Sequence, residues 1–249
     1  DKQMACFRLL MSFNQFPNRL PEGEQMFYPN QEEMGKAVST GIFATGVFFQ
    51  IVVALTQSGK TGCMNALIKH CVESHENIIT PENIFVITGI SSKDWVIQTR
   101  GRMPDMIEKQ IVHRNDLKKL AKILKGRENV LIIVDEVHIA CGKKMSINKL
   151  MLELDYKDPE FLMENNINFV EFSATPGAVL KDHKDWADEG KAKIHIMEPG
   201  QGYKGPAELL NERAFQWKKL DYDQDDREES MDAIRELKTK IEETYTSPR

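Results

Sequence analysis

No stretch of this chain is apolar for long enough to cross a membrane. The longest apolar run, residues 47–55, is interrupted by Gln50 and falls well short of the roughly 20 residues a spanning helix needs. Cysteine is scarce: Cys6, Cys63, Cys71 and Cys141 show no C-x-x-C spacing, which argues against a disulfide scaffold and against a thiolate zinc site. Six scattered histidines add no zinc signature. The chain opens at Asp1 without a methionine or a secretory apolar segment, so an excised fragment is expected rather than an exported protein. Proline and glycine are too thinly spread for a low-complexity chain, and at 249 residues with 41% hydrophobic content the sequence can bury a full core. Cys63 and Cys71 then read as small core residues of a reduced protein.

What is present is concentrated in three strings. ALTQSGKT, residues 54–61, follows an apolar run and opens a helix-compatible stretch, the strand–loop–helix context of a phosphate-binding loop. Backbone N–H groups of Thr56, Gln57, Ser58 and Gly59 and of the helix start can face phosphate oxygens. Lys60 supplies a compact cation, and the Thr61 hydroxyl can reach Mg²⁺. The first glycine of the usual pattern is Ala54 here, which gives up free access to positive φ. LIIVDEVH, residues 131–138, is a buried strand ending in adjacent carboxylates, with Asp135 placed for magnesium and Glu136 for water activation. FVEFSATPGA, residues 169–178, reads as a further buried strand ending in Ser173-Ala174-Thr175, and Pro176 stops any helix across it. A nucleoside triphosphate site at the C-terminal edge of an α/β sheet is the expectation.

Periodicity fills in the rest. A helix is expected after Pro29, where Gln31, Met34 and Val38 keep helical spacing, and another over residues 61–73. A turn at residues 80–83 precedes a strand at 84–88. Leu117, Leu120, Ala121 and Leu124 share one helix face, with Asp116 as the expected N-cap and Gly126 as the stop. Residues 193–197 alternate as a strand does, residues 199–202 form a turn, and Met231, Ile234, Leu237 and Ile241 mark an amphipathic helix. The expected organisation is a lead-in over residues 1–27, an ATPase-type domain over 28–200 and a helical, acidic extension over 201–249.

Charge is segregated along the chain. Between residues 100 and 127 nine lysines or arginines face three acids, an excess suited to a phosphate backbone. Lys118, Lys119, Lys122 and Lys125 lie opposite the leucine stripe and read equally well as a solvated face. Residues 221–243 hold ten acids and four bases, which disfavours nucleic-acid contact there.

The order of the three strings matches motifs I, II and III of superfamily 2 helicases, and residues 28–178 resemble the DExH branch of that superfamily. The resemblance implies an α/β, RecA-like P-loop NTPase domain with a mostly parallel central sheet flanked by helices. It also implies ATP and Mg²⁺ as cofactors, with Lys60 and Thr61 holding phosphates and metal, Asp135 the hydrated metal and Glu136 the attacking water. His138, Ser173 and Thr175 would couple the nucleotide to the nucleic-acid groove. Gln31 in YPNQ would read adenine, and Arg100, Arg102, His113 and Arg114 occupy the stretch of motifs Ia and Ib, which contact the strand. DNA is favoured over RNA. The TQSGKT loop, ITGISSKDWVIQTRGR and MEPGQGYKGPAEL are also similar to helicase-like ATPases of large DNA viruses and of restriction-type systems, where Gln98, Thr99 and Arg102 match the motif Ia helix. This chain has Thr88-Gly89 where motif Ia usually starts with proline–threonine.

Residues 176–249 are too few for a second RecA-like lobe, so a further lobe or a partner subunit is expected to supply an arginine finger. No membrane partner is expected, and the setting is an intracellular, reducing one: cytoplasm, nucleus or virion interior. Two alternatives share these motifs: a terminase-like packaging or restriction-associated ATPase, and a nucleotide-dependent interaction module. Intact Lys60, Asp135 and Glu136 count against the module, which has no need of a water-activating carboxylate.

Overall fold

Six short runs rich in Val, Ile and Phe build one sheet: β1 Phe49–Ala54, β2 Ile84–Thr88, β3 Ile111–Val112, β4 Val130–Asp135, β5 Ile167–Ser173 and β6 Ala192–Met197. The structure, a computed structural model, describes residues 27–43, 47–74, 78–88, 93–136, 146–175, 177–182 and 184–205. Every strand pair is parallel, in the order β3-β2-β4-β5-β1-β6. The inner strands are buried almost without interruption, as a parallel sheet covered on both faces requires. Burial alternates only on β6, where Ile194 and Ile196 are exposed, the mark of an edge strand.

The helices are α1 Pro29–Ile42, α2 Lys60–Ser74, α3 Lys93–Arg100, α4 Leu117–Leu124, α5 Ser146–Glu153, α6 Pro159–Glu164, α7 Gly177–Asp182 and α8 Lys184–Asp188. Pro29 starts α1 because its fixed φ suits the first helical position. Alternate strand residues serve opposite layers. Val52, Val86, Ile133 and Phe172 pack with Val38 of α1 and Leu67 and Ile68 of α2. Phe49, Ile132, Val134 and Phe169 meet Leu120 and Leu124 of α4 and Leu150 of α5 on the other face. There Phe49 and Phe169 stack at 4.7 Å between ring centroids, and Trp186 tilts onto Phe49 at the same distance. This three-layer α/β sheet is the expected fold class.

One local expectation holds only in part. Asp116 stands at the N-cap position of α4, after a 3-10 turn over Arg114–Asp116, but its carboxylate makes no capping bond and accepts from Lys119 Nζ at 2.8 Å instead. The cap in this corner is His113, whose Nδ1 accepts from the Asn115 N–H at 3.2 Å. Gly126, at φ 75°, ends α4 as expected.

The chain divides into two compact units, residues 1–203 and 204–249, and the described residues belong almost wholly to the first. The helix expected near Met231 and most of the lead-in lie outside the described residues, whereas Phe27 is buried in the α1–α2 core. Cys63 and Cys71 are buried free thiols, both pushed up to about 12 by burial, and so behave as inert core residues. Among the described residues no helix is long and apolar enough to cross a membrane.

Candidate active site

Register brings the ends of the central strands into one row. Thr88 pairs with Asp135, Asp135 with Phe172, Val53 with Ser173 and Ala54 with Met197. Because the strands are parallel, the loop after β1, Glu136 after β4 and Ala174-Thr175 after β5 all emerge at the same edge. Strand β5 lies between β1 and β4, so the third string sits between the other two.

The loop after β1 turns without help from its first residue. Ala54 remains in the strand, buried, and the left-handed positions fall on Gln57 at φ 60° and Gly59 at φ 94°. Alanine therefore meets no backbone demand that only glycine could satisfy. Ser58 closes the turn: its N–H and its hydroxyl both donate to the Leu55 carbonyl, at 3.2 and 2.7 Å. Thr56 is tied from outside, its carbonyl accepting from Tyr203 Oη at 2.9 Å. The first bond of α2 runs from the Cys63 N–H to the Gly59 carbonyl, which leaves the N–H groups of Lys60, Thr61 and Gly62 without partners within the helix. A fifteen-residue helix with open donors at its start favours an anion there.

Gln31 supports this turn from beneath. It is buried, its Nε2 donates to the Gly59 carbonyl at 3.3 Å, and its Oε1 accepts from the Tyr28 N–H at 3.2 Å. A Cβ on either Gly59 or Gly62 would overlap the Gln31 amide, so both glycines are needed for the close approach. The amide expected to read adenine is thus engaged at both ends with the chain itself.

Across the edge, Lys60 Nζ lies 3.2 Å from Glu136 Oε1, with both side chains largely shielded from solvent. Glu136 holds φ 52°, a left-handed conformation uncommon for a non-glycine residue and frequent where a side chain is aimed for function. Beside it, Asp135 Oδ2 accepts from Trp95 Nε1 at 3.1 Å, while Oδ1 is buried without a hydrogen-bond partner. Burial raises the Asp135 carboxyl above the usual carboxylate range, the Trp95 N–H opposes this, the neighbouring Glu136 charge adds to it, and Lys60 and the Glu136 backbone N–H oppose it. A cation at Oδ1 would satisfy the orphaned oxygen and stabilise the charge. Among the described residues no group of three or more His, Cys, Asp or Glu could hold a metal. The Asp135 carboxylate with the Thr61 hydroxyl nevertheless fits Mg²⁺, which is commonly held by one or two carboxylates together with substrate phosphates and water.

Ser173 is fully buried at the end of β5, and its Oγ accepts from the Thr175 N–H at 3.1 Å. Thr175 is exposed; His138 lies outside the described residues. The nucleic-acid candidates divide. Arg100 and Arg102 are exposed and Arg114 partly so, whereas His113 is 8% exposed and its Nδ1 caps the adjoining turn.

Sequence reasoning passed over three side chains. Trp95 reaches Asp135, Tyr203 reaches the loop, and Asn65 Nδ2 donates to the Arg102 carbonyl at 2.7 Å. Trp95 and Tyr203 stood in strings already singled out, at residues 87–102 and 197–209, but without a role; Asn65 stood in none.

No family model matches the chain, and no curated protein does. Among solved structures it is similar to C. elegans PCH-2, with 14% identity over 78% of this chain and 41% of that one, at a TM-score of 0.35. It is also similar to the HK97 bacteriophage large terminase, with 13% identity over 96% of this chain and 53% of that one, at a TM-score of 0.43. The chain thus spans about half the length, or less, of these structures. The roles assigned to its residues rest on the geometry of the edge itself.

Proposed function

We propose that this chain is an ATP hydrolase of the helicase or translocase type, coupling hydrolysis to movement on nucleic acid, with DNA favoured over RNA. The observation that carries the reading is the meeting of Lys60, Asp135 and Glu136 at the sheet edge, with Lys60 3.2 Å from Glu136 and Asp135 Oδ1 unpartnered beside them. The N–H groups of Lys60, Thr61 and Gly62 bind phosphate oxygens, and Lys60 neutralises the terminal ones. As a γ-phosphate enters, Lys60 exchanges Glu136 for a phosphate oxygen, and the Glu136 carboxylate becomes available to accept the proton of the attacking water. Asp135 and the Thr61 hydroxyl would hold Mg²⁺, which would offset the charge developing on the phosphates.

Strand-separating and duplex-translocating motors need the same three elements. The helicase-type reading rests on the order of the motifs in the sequence; the strand order, with Ser173-Ala174-Thr175 leaving between the loop and the carboxylates, suits a terminase-type packaging ATPase equally. Glu136→Gln is expected to keep ATP affinity and lose hydrolysis by about 10² to 10⁴. Lys60→Ala should weaken ATP binding itself. Affinity measured by titration and turnover measured by phosphate release separate the two, and wild-type turnover in Glu136→Gln would remove the assigned base.

A further inference from the structure

The Asp135 carboxylate has two unlike oxygens. Oδ2 is taken by the indole N–H of Trp95 at 3.1 Å, and Oδ1 is buried and unpartnered. Trp95 comes from α3, and its ring packs against the core formed by α1 and α2. The donor is therefore held by packing rather than by a chance encounter at a surface. Helix α3 is fastened at its other end as well. The Arg102 carbonyl accepts from Asn65 of α2, one turn beyond Thr61 on the same helix face, and the Arg102 N–H donates to the Thr99 carbonyl at 3.0 Å.

We propose that Trp95 is a positioning residue for the metal carboxylate: by occupying Oδ2 it fixes the rotation of Asp135 and presents Oδ1 to Mg²⁺. This rests on the reading of the edge as a Mg·nucleotide site. A carboxylate free to rotate presents either oxygen, or both, and loses the advantage of a fixed donor. Outer partners of this kind are worth about 10-fold to 100-fold in metal affinity. The same bond ties α3, which ends in Arg100, to the residue that senses the metal.

The test uses the full chain with mant-ADP as probe, titrated first in EDTA and then with MgCl₂. In wild type, Mg²⁺ should tighten mant-ADP binding. Trp95→Phe keeps the ring and removes the donor. It should bind mant-ADP in EDTA within about twofold of wild type, yet need at least about tenfold more Mg²⁺ for the same tightening. A second measurement does not depend on that variant folding. The chain has three tryptophans, Trp95, Trp186 and Trp217, so an indole ¹H–¹⁵N spectrum contains three side-chain resonances. The resonance that survives in both Trp186→Phe and Trp217→Phe belongs to Trp95. It should move when Mg²⁺ is added to the ADP-bound protein and stay in place when ADP is added in EDTA. Equal Mg²⁺ requirement in wild type and Trp95→Phe, or a Trp95 resonance that ignores Mg²⁺ while mant-ADP binding responds to it, overturns the role of Trp95 alone. Wild-type binding of mant-ADP that is indifferent to Mg²⁺ overturns the metal-site reading, and the role of Trp95 with it.

Discussion

His195 lies on β6 with its Nε2 2.6 Å from Gln50 Oε1, buried between the edge strand and β1. Burial lowers its pKa from 6.5 to about 4, with the Lys193 charge acting in the same direction. The folded protein therefore holds this ring neutral over a window in which the unfolded chain takes up a proton. Stability is fully present above pH 6.5, falls as the pH drops towards 4, and levels off below that, a loss of up to about 3 kcal/mol. His195→Gln should remove this part of the slope. Urea midpoints of wild type and variant between pH 4 and 7 check it, and parallel curves would reject it. Nothing in the residue types announced this site, because His195 and Gln50 are 145 positions apart. The same holds for Tyr203 and Thr56, 147 apart, and for Trp95 and Asp135, 40 apart. The placement of Lys60, Asp135 and Glu136 at one edge was legible because the two carboxylates close an apolar strand and Lys60 opens the helix after the loop that follows another. Gln31 was legible in place but not in direction: helical spacing located it, yet whether its amide meets water or the loop depends on how α1 crosses α2.

The basic segment joins α3 to α4. The leucine spacing that announced α4 also assigned its faces correctly: Leu117, Leu120, Ala121 and Leu124 are buried while Lys118, Lys119, Lys122 and Lys125 are exposed. Its start falls where expected, with Asp116 at the N-cap, but local sequence cannot tell an aspartate whose carboxylate caps from one that pairs with a lysine one turn on. Arg100 and Arg102 stand at the end of a helix held at two points, Trp95 to Asp135 and Asn65 to the Arg102 carbonyl, a geometry suited to carrying a change at the sheet edge into the basic segment. If Arg100, Arg102 and Arg114 touch phosphates, each alanine variant should bind single-stranded nucleic acid more weakly regardless of sequence. Each should also flatten the salt dependence by about 0.7 for every phosphate it no longer neutralises. Lys118→Ala and Lys122→Ala should change the slope less. Fluorescence anisotropy over a series of salt concentrations measures both, and unchanged slopes for all three arginine variants would return the whole segment to a solvated surface.

Across the whole molecule, the sequence showed that three strings end strands, and parallel pairing puts three such ends on one edge. It did not show that β5 runs between β1 and β4, since strand order is set by how the crossover helices pack and not by any local run. That order has a consequence for catalysis. Four arginines fall among the described residues: Arg100, Arg102, Arg114 and Arg127. Arg127 Nη1 donates to the Glu82 carbonyl and to Asn83 Oδ1, beside the start of β2 and thus at the opposite edge from the loop. Arg114 follows β3, four strand spacings or about 19 Å from β1, and the chain at Arg102 is held against α2 by Asn65. None stands on the loop or at the ends of β4 and β5, so on the proposed reading an arginine that stabilises a transferring phosphoryl group comes from outside the described residues. Such fingers contribute factors of about 10³ to 10⁵ in nucleoside triphosphatases that use them. The purified chain by itself should accordingly bind ATP and Mg²⁺ yet turn over well below about 1 per second, and a protein or segment that brings an arginine to the edge should accelerate it towards motor rates. Phosphate release from dilute protein is the direct measurement, and steady turnover at about 1 per second or faster without any partner would show that the edge completes its own catalytic set.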